Sequence, residues 1–448
     1  MKNILILGAG FSAGIMIKYL LNKAKENNWN ITVGHRHISK EIVGEKVDEN
    51  PHIKSILFDI QNENQRVTEI SKADLIISFV PALYHPLVAK ECVKQGKHMV
   101  TASYVSKEMK ELDSEARAKG LTLLNEIGVD PGIDHMSAMR IIDKIKNKGG
   151  KLLAFTSNTG GLVAPESDNN PWNYKFTWNP RNVVLAGQGT SKYIEKGTYK
   201  YIPYTQLYRR IYKTSVLNMG EFDVYANRDS LSYREVYGLQ NIPTLFRGTM
   251  RRHGYCQAWD VFVQLGATDD TYQLENVDKM TYRDFINLFL PYDEQLTVEE
   301  KLCKIFSIKP SSEIMKKLIW LGIFEKRPIK MTHATPAQVL QHILEEKWTL
   351  SPGDKDMIVM QHKFEYELAG QRKEITSSLV VIGKDSVETA MAITVGTPVA
   401  IAAEMLLKGQ IKVTGVQIPV IPELYNPILN ELEKYGIKFV EEEKELNT

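Results

Sequence analysis

The first 130 residues alternate short apolar runs with stretches of helical period. The runs have the length of β-strands, and the one at residues 73–80 is apolar almost throughout, which is typical of a strand covered on both faces of a parallel sheet. Helices are predicted between the runs, for example at residues 62–71 and 107–119. This order of elements predicts a doubly wound α/β domain. The predicted strands are residues 3–7, 30–34, 56–59, 73–80, 98–102 and 121–125.

The pattern changes after about residue 150. Strand-like segments at residues 151–158, 207–217 and 222–226 are separated by loops rich in Gly, Asn, Pro and aromatic residues. They predict an α/β substrate domain with a mixed, mainly antiparallel sheet. Most segments between residues 254 and 347 have a helical pattern and predict a helical insertion. The clearest helical segments are residues 281–290, 297–306 and 312–321.

The C-terminal quarter predicts a hairpin followed by an apolar helix. Two long runs at residues 356–382 meet at a Gly-containing turn near residue 370. Thr397 followed by Pro398 has the pattern of an N-cap with proline at the first helical position, and it predicts a helix that ends near Leu407. We expect this helix to pack back on the N-terminal domain.

A glycine-rich turn follows the first predicted strand. Residues 8–14 read Gly-Ala-Gly-Phe-Ser-Ala-Gly, and a helical pattern begins directly after them. This order suits the pyrophosphate of a dinucleotide, because the glycines let the backbone approach and the helix N-terminus offers free N–H groups. The second strand ends beside Arg36, where an NAD-binding protein usually has Asp or Glu for the ribose 2′-hydroxyl. The sequence therefore predicts a Rossmann-type domain that binds NADP(H).

The carboxyl ends of the predicted strands point to the remaining candidate site residues. An open parallel sheet holds its ligand at these ends, where the strand order reverses. Asp59, residues 78–81, Ser103 with Tyr104, and residues 126–130 all follow predicted strands.

Composition and charge exclude several classes of function. The 448 residues include 56 basic and 54 acidic side chains, so no overall field attracts nucleic acid. Cys92, Cys256 and Cys303 are far apart and have no metal-ligand spacing, which predicts neither disulfides nor a metal site. We expect no signal peptide and no apolar stretch long enough to span a membrane. These features predict a cytoplasmic protein whose partners are small molecules.

Four sequence blocks closely resemble saccharopine dehydrogenases of the L-glutamate-forming type, also called saccharopine reductases. One block, residues 125–135, reads Asn-Glu-Ile-Gly-Val-Asp-Pro-Gly-Ile-Asp-His, and another begins Gly-Gly-Leu-Val-Ala-Pro-Glu-Ser at residue 160. The others are residues 101–106 and 247–251. The likeness runs from end to end of the chain, so the sequence is identified as a member of that family.

The resemblance implies an activity and a domain plan. The family interconverts L-saccharopine with L-glutamate and 2-aminoadipate 6-semialdehyde in lysine metabolism, using a nicotinamide cofactor, here NADP(H). It implies a nucleotide domain of residues 1–130 plus 388–448, a substrate-binding and dimerisation domain of residues 131–253 plus 348–387, and a helical insertion at 254–347. A homodimer is expected from the same resemblance.

The resemblance also implies which residues contact the ligands. Asp130 and Tyr104 are the candidates for the proton transfers that water addition to an imine and loss of the amine require. Asp130 could also initiate the turn or cap the helix that follows it, and His135 is interpreted as structural. The implied cofactor contacts are Gly8, Gly10, Phe11, Ser12, Arg36, Asp59, Ile60, Val80 and Trp178. The implied substrate contacts are Ser103, Tyr104, Asp130, Arg228, Arg247, Gly248, Thr249 and Arg251.

Charge supports this interpretation independently. Saccharopine has three carboxylates, and arginines pair with carboxylates in a bidentate way, so Arg228, Arg247 and Arg251 suit it. Thr159 stands where relatives often have cysteine, so we interpret it as a ligand contact and do not expect a mechanism that requires a thiol. Two alternatives stay open. One is a related imine reductase such as carboxynorspermidine dehydrogenase, whose substrate has fewer carboxylates, and the other is a non-catalytic NADP(H)-binding protein.

Overall fold

Seven parallel strands form the sheet of the first of two units. The computed structural model describes residues 1–10 and 12–446. The first unit comprises residues 1–149 and 379–440, and the second comprises residues 150–378 and the chain from residue 441. All neighbouring strands of the first sheet are parallel. In spatial order they are Gly415–Gln417, Thr122–Leu124, His98–Val100, Leu75–Ser78, Lys2–Leu7, Trp29–His35 and Ile53–Leu57.

The strand order reverses beside the first strand. The chain adds Trp29–His35 and then Ile53–Leu57 on one side of Lys2–Leu7, and it adds Leu75–Ser78 and the later strands on the other side. This arrangement confirms the predicted Rossmann-type, doubly wound class, and such a reversal marks the ligand crevice at the carboxyl ends of the strands.

Helices flank the strands of this sheet along the chain, and most strand residues are buried. All four residues of Leu75–Ser78 are buried, which explains why this strand has a continuous apolar sequence. A short two-stranded hairpin, Glu41–Ile42 with Glu45–Lys46, lies between the second and third strands in sequence. The helices are Ala13–Asn27, Glu63–Ser71, the single 3₁₀ turn Ala82–Tyr84, His85–Gln95, Lys107–Lys110, Asp113–Ala118, Ile133–Asn147, Ala390–Leu407 and Pro422–Lys434.

The apolar helix near the C-terminus starts earlier than predicted. Thr389 is its N-cap, and the side chain of Thr389 accepts a hydrogen bond from the Ala392 amide at 3.0 Å. Pro398 lies inside the helix, where it has no N–H to donate. The predicted start at Thr397 was wrong because Thr-Pro imitates an N-cap, whereas extensive burial of this helix offsets the missing hydrogen bond.

The same helix also corrects the prediction about membrane-length segments. Ala390–Leu407 has 18 residues and a mean hydropathy of 1.7, so by length and composition alone it could cross a membrane. However, 67% of it is buried, and it packs against Ala13–Asn27 within the first unit. A buried core helix of a globular domain can have the same length and mean hydropathy, so these two properties are weak support for a membrane segment.

The single helix predicted at residues 107–119 is divided into two short helices. The first ends at Lys110, and the second begins at Asp113. Between them the Leu112 amide bonds to the Met109 carbonyl, which is a tighter turn than an α-helix makes. Asp113 also accepts a hydrogen bond from the Val416 amide at 2.8 Å. This long-range contact explains why local periodicity did not show the break.

The second unit is built on a nine-stranded mixed sheet. The strand Thr244–Arg251 is parallel to Lys151–Val163, and Asp356–Leu368 is antiparallel to Lys151–Val163. The predicted hairpin is present as Asp356–Leu368 and Gln371–Ile382. In spatial order the strands are Thr198–Pro203, Thr190–Glu195, Thr244–Arg251, Lys151–Val163, Asp356–Leu368, Gln371–Ile382 and Val440–Glu445, with Glu221–Ala226 pairing both Thr244–Arg251 and Tyr212–Ser215.

Helices are the regular elements between residues 255 and 348 of this unit, and they cover about half of that range. The strand predicted at residues 207–217 is shorter than expected: Tyr204–Leu207 is a helical turn, and only Tyr212–Ser215 is extended. The predicted residue boundaries of the three domains stay a prediction. The helices of the second unit are Pro180–Val184, Tyr204–Leu207, Tyr233–Val236, Tyr255–Leu265, Tyr282–Asn287, Val298–Phe306, Glu313–Trp320 and Pro336–Trp348, with single 3₁₀ turns at Pro165–Ser167, Leu217–Met219 and Val277–Lys279.

Candidate functional site

The glycine turn of the first unit has the geometry that a pyrophosphate site requires. Gly8 has φ +98°, and a Cβ atom on it would lie 2.7 Å from the Phe79 carbonyl oxygen, so only glycine fits there. A Cβ atom on Gly10 would meet no atom of the non-adjacent described residues within 4 Å, so these residues leave space beside the turn. Ser12 precedes the helix Ala13–Asn27 and makes no side-chain capping bond. Phe11 lies outside the described residues.

The apolar helix Ala390–Leu407 packs closely against this turn. A Cβ atom on Gly396 would lie 2.9 Å from the Ser12 carbonyl oxygen and 3.0 Å from the Met16 amide nitrogen. The absence of a side chain at Gly396 therefore lets the two helix backbones approach closely. The first turn of the Ala13–Asn27 helix is thereby fixed by a residue more than 370 positions away in sequence.

Arg36 lies where the sequence placed it, one residue beyond the second strand. Its side chain is exposed and makes no hydrogen bond or ion pair with residues 1–10 and 12–446. The neighbouring His35 is tied down, because its Nε2 lies 3.1 Å from the Ser55 hydroxyl. Arg36 is therefore a cation free to meet an external phosphate.

Asp59, Ile60 and Val80 also follow strands of the first sheet. The Asp59 carboxylate accepts a hydrogen bond from the Gln61 amide at 2.9 Å, which shapes the turn after the third strand. Ile60 is buried, and its carbonyl accepts a hydrogen bond from the Arg66 guanidinium at 2.7 Å. Val80 is partly buried beyond the strand Leu75–Ser78. Their roles as cofactor contacts stay predictions.

Ser103 belongs to a buried hydrogen-bonded chain that the sequence analysis did not identify. The Ser78 hydroxyl lies 2.8 Å from Nδ1 of His85, and Nε2 of His85 lies 2.7 Å from the Ser103 hydroxyl. His85 is 3% exposed, and burial lowers its pKa to about 4, so its ring is neutral near pH 7. The chain links the carboxyl ends of two adjacent strands.

Tyr104 and Asp130 are brought together. The Tyr104 hydroxyl donates to Oδ1 of Asp130 at 3.4 Å, and Tyr104 is 44% exposed. Asp130 is not the helix cap, because Gly132 occupies that position and its amide donates to Asp134. The two predicted proton-transfer groups thus lie side by side at the accessible edge of the sheet.

Buried Glu126 holds the loop that carries Ser103 and Tyr104. Its carboxylate accepts a hydrogen bond from the Val105 amide at 3.0 Å and lies 2.8 Å from Nε2 of His135. The Glu126 amide donates to the Ser103 carbonyl at 3.1 Å. His135 is fully buried in this contact, which supports its interpretation as a structural residue.

In the second unit, one strand carries four of the predicted substrate contacts. Arg247, Thr249 and Arg251 are two residues apart on Thr244–Arg251 and therefore share one face of the sheet. Gly248 lies on the other face, where a Cβ atom would come within 2.4 Å of Val224. Only glycine fits at residue 248 without a shift of its neighbours.

The three arginines differ strongly in their surroundings. Arg228 is exposed, and its side chain contacts no described polar partner. The guanidinium of Arg247 lies 4.1 Å from the centre of the Tyr233 ring. Arg251 is 3% exposed, donates to the Met250 carbonyl at 2.9 Å, and its Nε has no partner among the described residues.

Arg251 is surrounded by aromatic rings rather than by acids. Its guanidinium lies 5.1 Å from the ring centre of Tyr174, 5.3 Å from that of Tyr255 and 5.8 Å from that of Tyr225. Burial raises the pKa of all three phenols, so they are neutral near pH 7. The rings stabilise the cation through cation–π contacts without supplying a counter-charge.

Trp178 and Thr159 complete the predicted set in the second unit. Trp178 is partly buried in the loop before the helix Pro180–Val184. Thr159 is partly buried and pairs in register with Thr249 on the neighbouring strand, so both face the same side as Arg247 and Arg251. Their contacts with ligands stay predictions.

Comparison with known families accounts for nearly the whole chain. A model of the saccharopine dehydrogenase NADP binding domain matches residues 4–124, and one of the saccharopine dehydrogenase C-terminal domain matches residues 128–437. The chain belongs to the saccharopine dehydrogenase family. The family resemblance predicted from the four sequence blocks is therefore confirmed, and its NADP binding domain coincides with the glycine turn and Arg36.

Individual relatives cover the same length. A saccharopine dehydrogenase [NADP(+), L-glutamate-forming] of Schizosaccharomyces pombe is 35% identical over 99% of both chains. The solved apo saccharopine dehydrogenase (L-Glu forming) of Saccharomyces cerevisiae has a TM-score of 0.88 and 33% identity, and the match covers 99% of this chain and 100% of that one. The mitochondrial alpha-aminoadipic semialdehyde synthase of Bos taurus is 34% identical over 98% of this chain, which spans 47% of that longer protein.

In this saccharopine dehydrogenase family member, sequence reasoning did not identify His85, and it identified Glu126 only as a residue that follows a strand, without its role. His85 and Glu126 organise the loop of Ser103 and Tyr104, but neither belongs to a spacing motif. Glu126 has φ +55°, an unusual conformation for a non-glycine residue, and it lies within the block that carries the resemblance. Its position directly after a strand was the available signal.

Proposed function

We propose that this chain is an NADP(H)-dependent saccharopine dehydrogenase of the L-glutamate-forming type, acting in lysine metabolism. It converts L-saccharopine, NADP⁺ and water to L-glutamate, 2-aminoadipate 6-semialdehyde and NADPH, and it catalyses the reverse reaction. The observation that carries this proposal is the 35% identity over 99% of both chains to an enzyme of that name.

The residues of the first unit fit NADP(H). Gly8 and Gly10 leave room for a pyrophosphate that the N-terminus of Ala13–Asn27 attracts, and Arg36, which has no partner among the described residues, offers a cation for a 2′-phosphate. When bound, NADP(H) would exchange a hydride with the amine-bearing carbon that becomes the aldehyde of the semialdehyde, rather than with the α-carbon of the glutamate part. The chain itself must bind and orient both molecules and manage the protons.

Asp130 and Tyr104 are the groups that we propose for those proton transfers. When water adds to the imine, its oxygen forms a bond to carbon and loses a proton, and the departing glutamate nitrogen gains one. The carboxylate of Asp130 can accept the first proton, and the hydroxyl of Tyr104, 3.4 Å from it, can pass a proton along the pair. The partly exposed position of both groups supports contact with substrate and water.

The arginines of the second unit suit a substrate with three carboxylates. Arg228 has an exposed, unpaired guanidinium, and buried Arg251 has no acidic partner among the described residues. A carboxylate near these cations would receive the strong charge-assisted hydrogen bonds that arginine forms. This charge pattern favours saccharopine over a polyamine product.

Initial rates of NADPH formation test the proposal. We expect turnover of L-saccharopine with NADP⁺, and glutamate plus the semialdehyde as products by mass spectrometry. Turnover of carboxynorspermidine but not of saccharopine would replace the proposal with the polyamine alternative. NADPH binding without turnover of either substrate would indicate a non-catalytic protein.

Two further parts of the proposal concern assembly and location. We propose a homodimer, as the family resemblance implies, and a cytoplasmic location, as the three scattered cysteines indicate, with small molecules as ligands. Sedimentation velocity of the purified chain tests the dimer, because a monomer and a dimer of a 51.0 kDa chain separate clearly.

A further inference from the structure

The Ser78, His85 and Ser103 chain of the first unit has a defined hydrogen-bond direction. Ser78 is 1% exposed, and within residues 1–10 and 12–446 the one hydrogen-bond partner of its hydroxyl is Nδ1 of His85. A buried hydroxyl that fails to donate its proton is destabilising. The satisfied arrangement therefore has the Ser78 hydroxyl donating to an unprotonated Nδ1.

The hydrogen bond from Ser78 also determines which nitrogen of the His85 ring carries the proton. A neutral histidine carries one proton, on Nδ1 or on Nε2. With Nδ1 acting as acceptor, the proton is on Nε2, which donates to the Ser103 hydroxyl oxygen 2.7 Å away. The pKa of His85, lowered by burial, keeps the ring in this neutral form near pH 7.

Ser103 is the last of these three hydrogen-bonded residues, and it is the one that solvent can reach. Ser103 is partly exposed, and its hydroxyl oxygen has no other polar partner within the described part of the chain. Because that oxygen already accepts from His85, its own proton is left to be donated elsewhere. The neighbouring Tyr104 contacts Asp130, so this donor lies beside the predicted proton-transfer pair.

We propose that buried Ser78 and His85 are positioning residues that fix the Ser103 hydroxyl as a hydrogen-bond donor to an oxygen of a bound ligand. The acceptor is either a carboxylate of the amino-acid substrate or an oxygen of the cofactor. The identity of the ligand rests on the proposed function, whereas the direction of the hydrogen bonds from Ser78 through His85 to Ser103 does not.

Nitrogen NMR of protein with ¹⁵N-labelled histidine tests the direction without turnover. His85→Gln identifies the His85 signals by their loss. We expect a protonated Nε2 and an unprotonated Nδ1 in the wild type, and a mixture of tautomers in Ser78→Ala, since the obligatory donor is removed. A protonated Nδ1 in the wild type would overturn the proposal, whatever the enzyme's substrate is.

Ligand affinity tests the role of Ser103. Ser103→Ala should raise the KM for saccharopine about tenfold or more if the acceptor is a carboxylate, or raise the Kd of NADPH about three- to tenfold if the acceptor is a cofactor oxygen. Ser78→Ala should shift the same constant in the same direction by a smaller factor, with Ser78→Thr restoring it. Ser71→Ala, which removes an exposed hydroxyl bonded to the Thr68 carbonyl, is the control. Unchanged KM and Kd in Ser103→Ala, with its thermal stability retained, would refute the donor role.

Discussion

Replacing Arg36 by alanine should change the cofactor preference of the protein. The guanidinium is exposed and has no partner among the described residues, so its removal breaks no contact within the chain. Such surface changes alter the free energy of unfolding by less than about 0.5 kcal/mol. Any effect on cofactor binding can therefore be attributed to the cofactor contact itself.

The magnitude follows from the exposure of Arg36. An exposed ion pair between side chains contributes at most about 1 kcal/mol, whereas charge-assisted hydrogen bonds contribute about 1.5–3 kcal/mol. A 2′-phosphate is doubly charged, and Arg36 has no competing partner within residues 1–10 and 12–446, so we expect an intermediate loss of about 2 kcal/mol of binding free energy. This corresponds to an increase of about 30-fold in the Kd of NADPH, because about 1.4 kcal/mol is tenfold.

Fluorescence titration with NADPH and NADH measures both affinities on the same variant. NADH has no 2′-phosphate, so its Kd should not change in Arg36→Ala. Lys25→Ala removes another exposed cation of the same unit and should leave both constants unchanged. The NADPH effect should also shrink at high salt, since exposed charges are screened. Equal weakening of NADPH and NADH, or no weakening of NADPH, would refute this assignment of Arg36.

Three further predictions concern the first unit. Gly8→Ala should lower the free energy of unfolding by about 1–3 kcal/mol, whereas Gly10→Ala should leave it unchanged and weaken NADPH binding, as urea unfolding and titration would show. Asp130→Asn should lower kcat about 10²- to 10⁴-fold with NADPH affinity retained, and Tyr104→Phe should lower kcat to a smaller extent. A wild-type kcat in both variants would exclude Asp130 and Tyr104 as the proton-transfer groups. Burial lowers the pKa of His85 from 6.5 to about 4, so the stability held above pH 6.5 is lost as the pH falls toward 4, by roughly 3 kcal/mol. His85→Gln should lack this part of the acid destabilisation in urea unfolding at pH 7 and pH 4.5.

The sequence predicted the nucleotide domain well because its signals are local. An apolar run, a glycine turn and a helical period occupy fewer than 30 consecutive residues, and Lys2–Leu7 and Ala13–Asn27 lie where they indicate. Where distant residues decide a boundary, prediction failed. Asp113 bonds to a strand three hundred residues away, and Thr389 caps a helix whose proline suggested a later start.

The candidate site was predicted only in part, because some of its residues follow local sequence signals and others depend on the fold. Ser78 and Ser103 follow strands, and parallel topology places such residues together, so both were candidates. His85 was missed because its role depends on the fold of the turn Ala82–Tyr84, which places its ring between the two serines. No spacing in the sequence encodes that contact.

The three arginines show that the number of charges in a sequence is not the number of charges available to a ligand. Arg228, Arg247 and Arg251 are equivalent in sequence, yet the structure leaves Arg228 exposed, stacks Arg247 on Tyr233 and encloses Arg251 among phenols. A buried cation is costly without a counter-charge, and neutral rings with one carbonyl compensate only in part. Arg251 is therefore first of all a cation packed inside the second unit. Of the three arginines, it should have the strongest preference for a nearby anion, because it is buried and none of the described acids pairs with it. A substrate carboxylate would satisfy this preference, whereas an uncharged amine would not. We therefore predict that discrimination between saccharopine and a polyamine product depends on the surroundings of the arginines more than on their number.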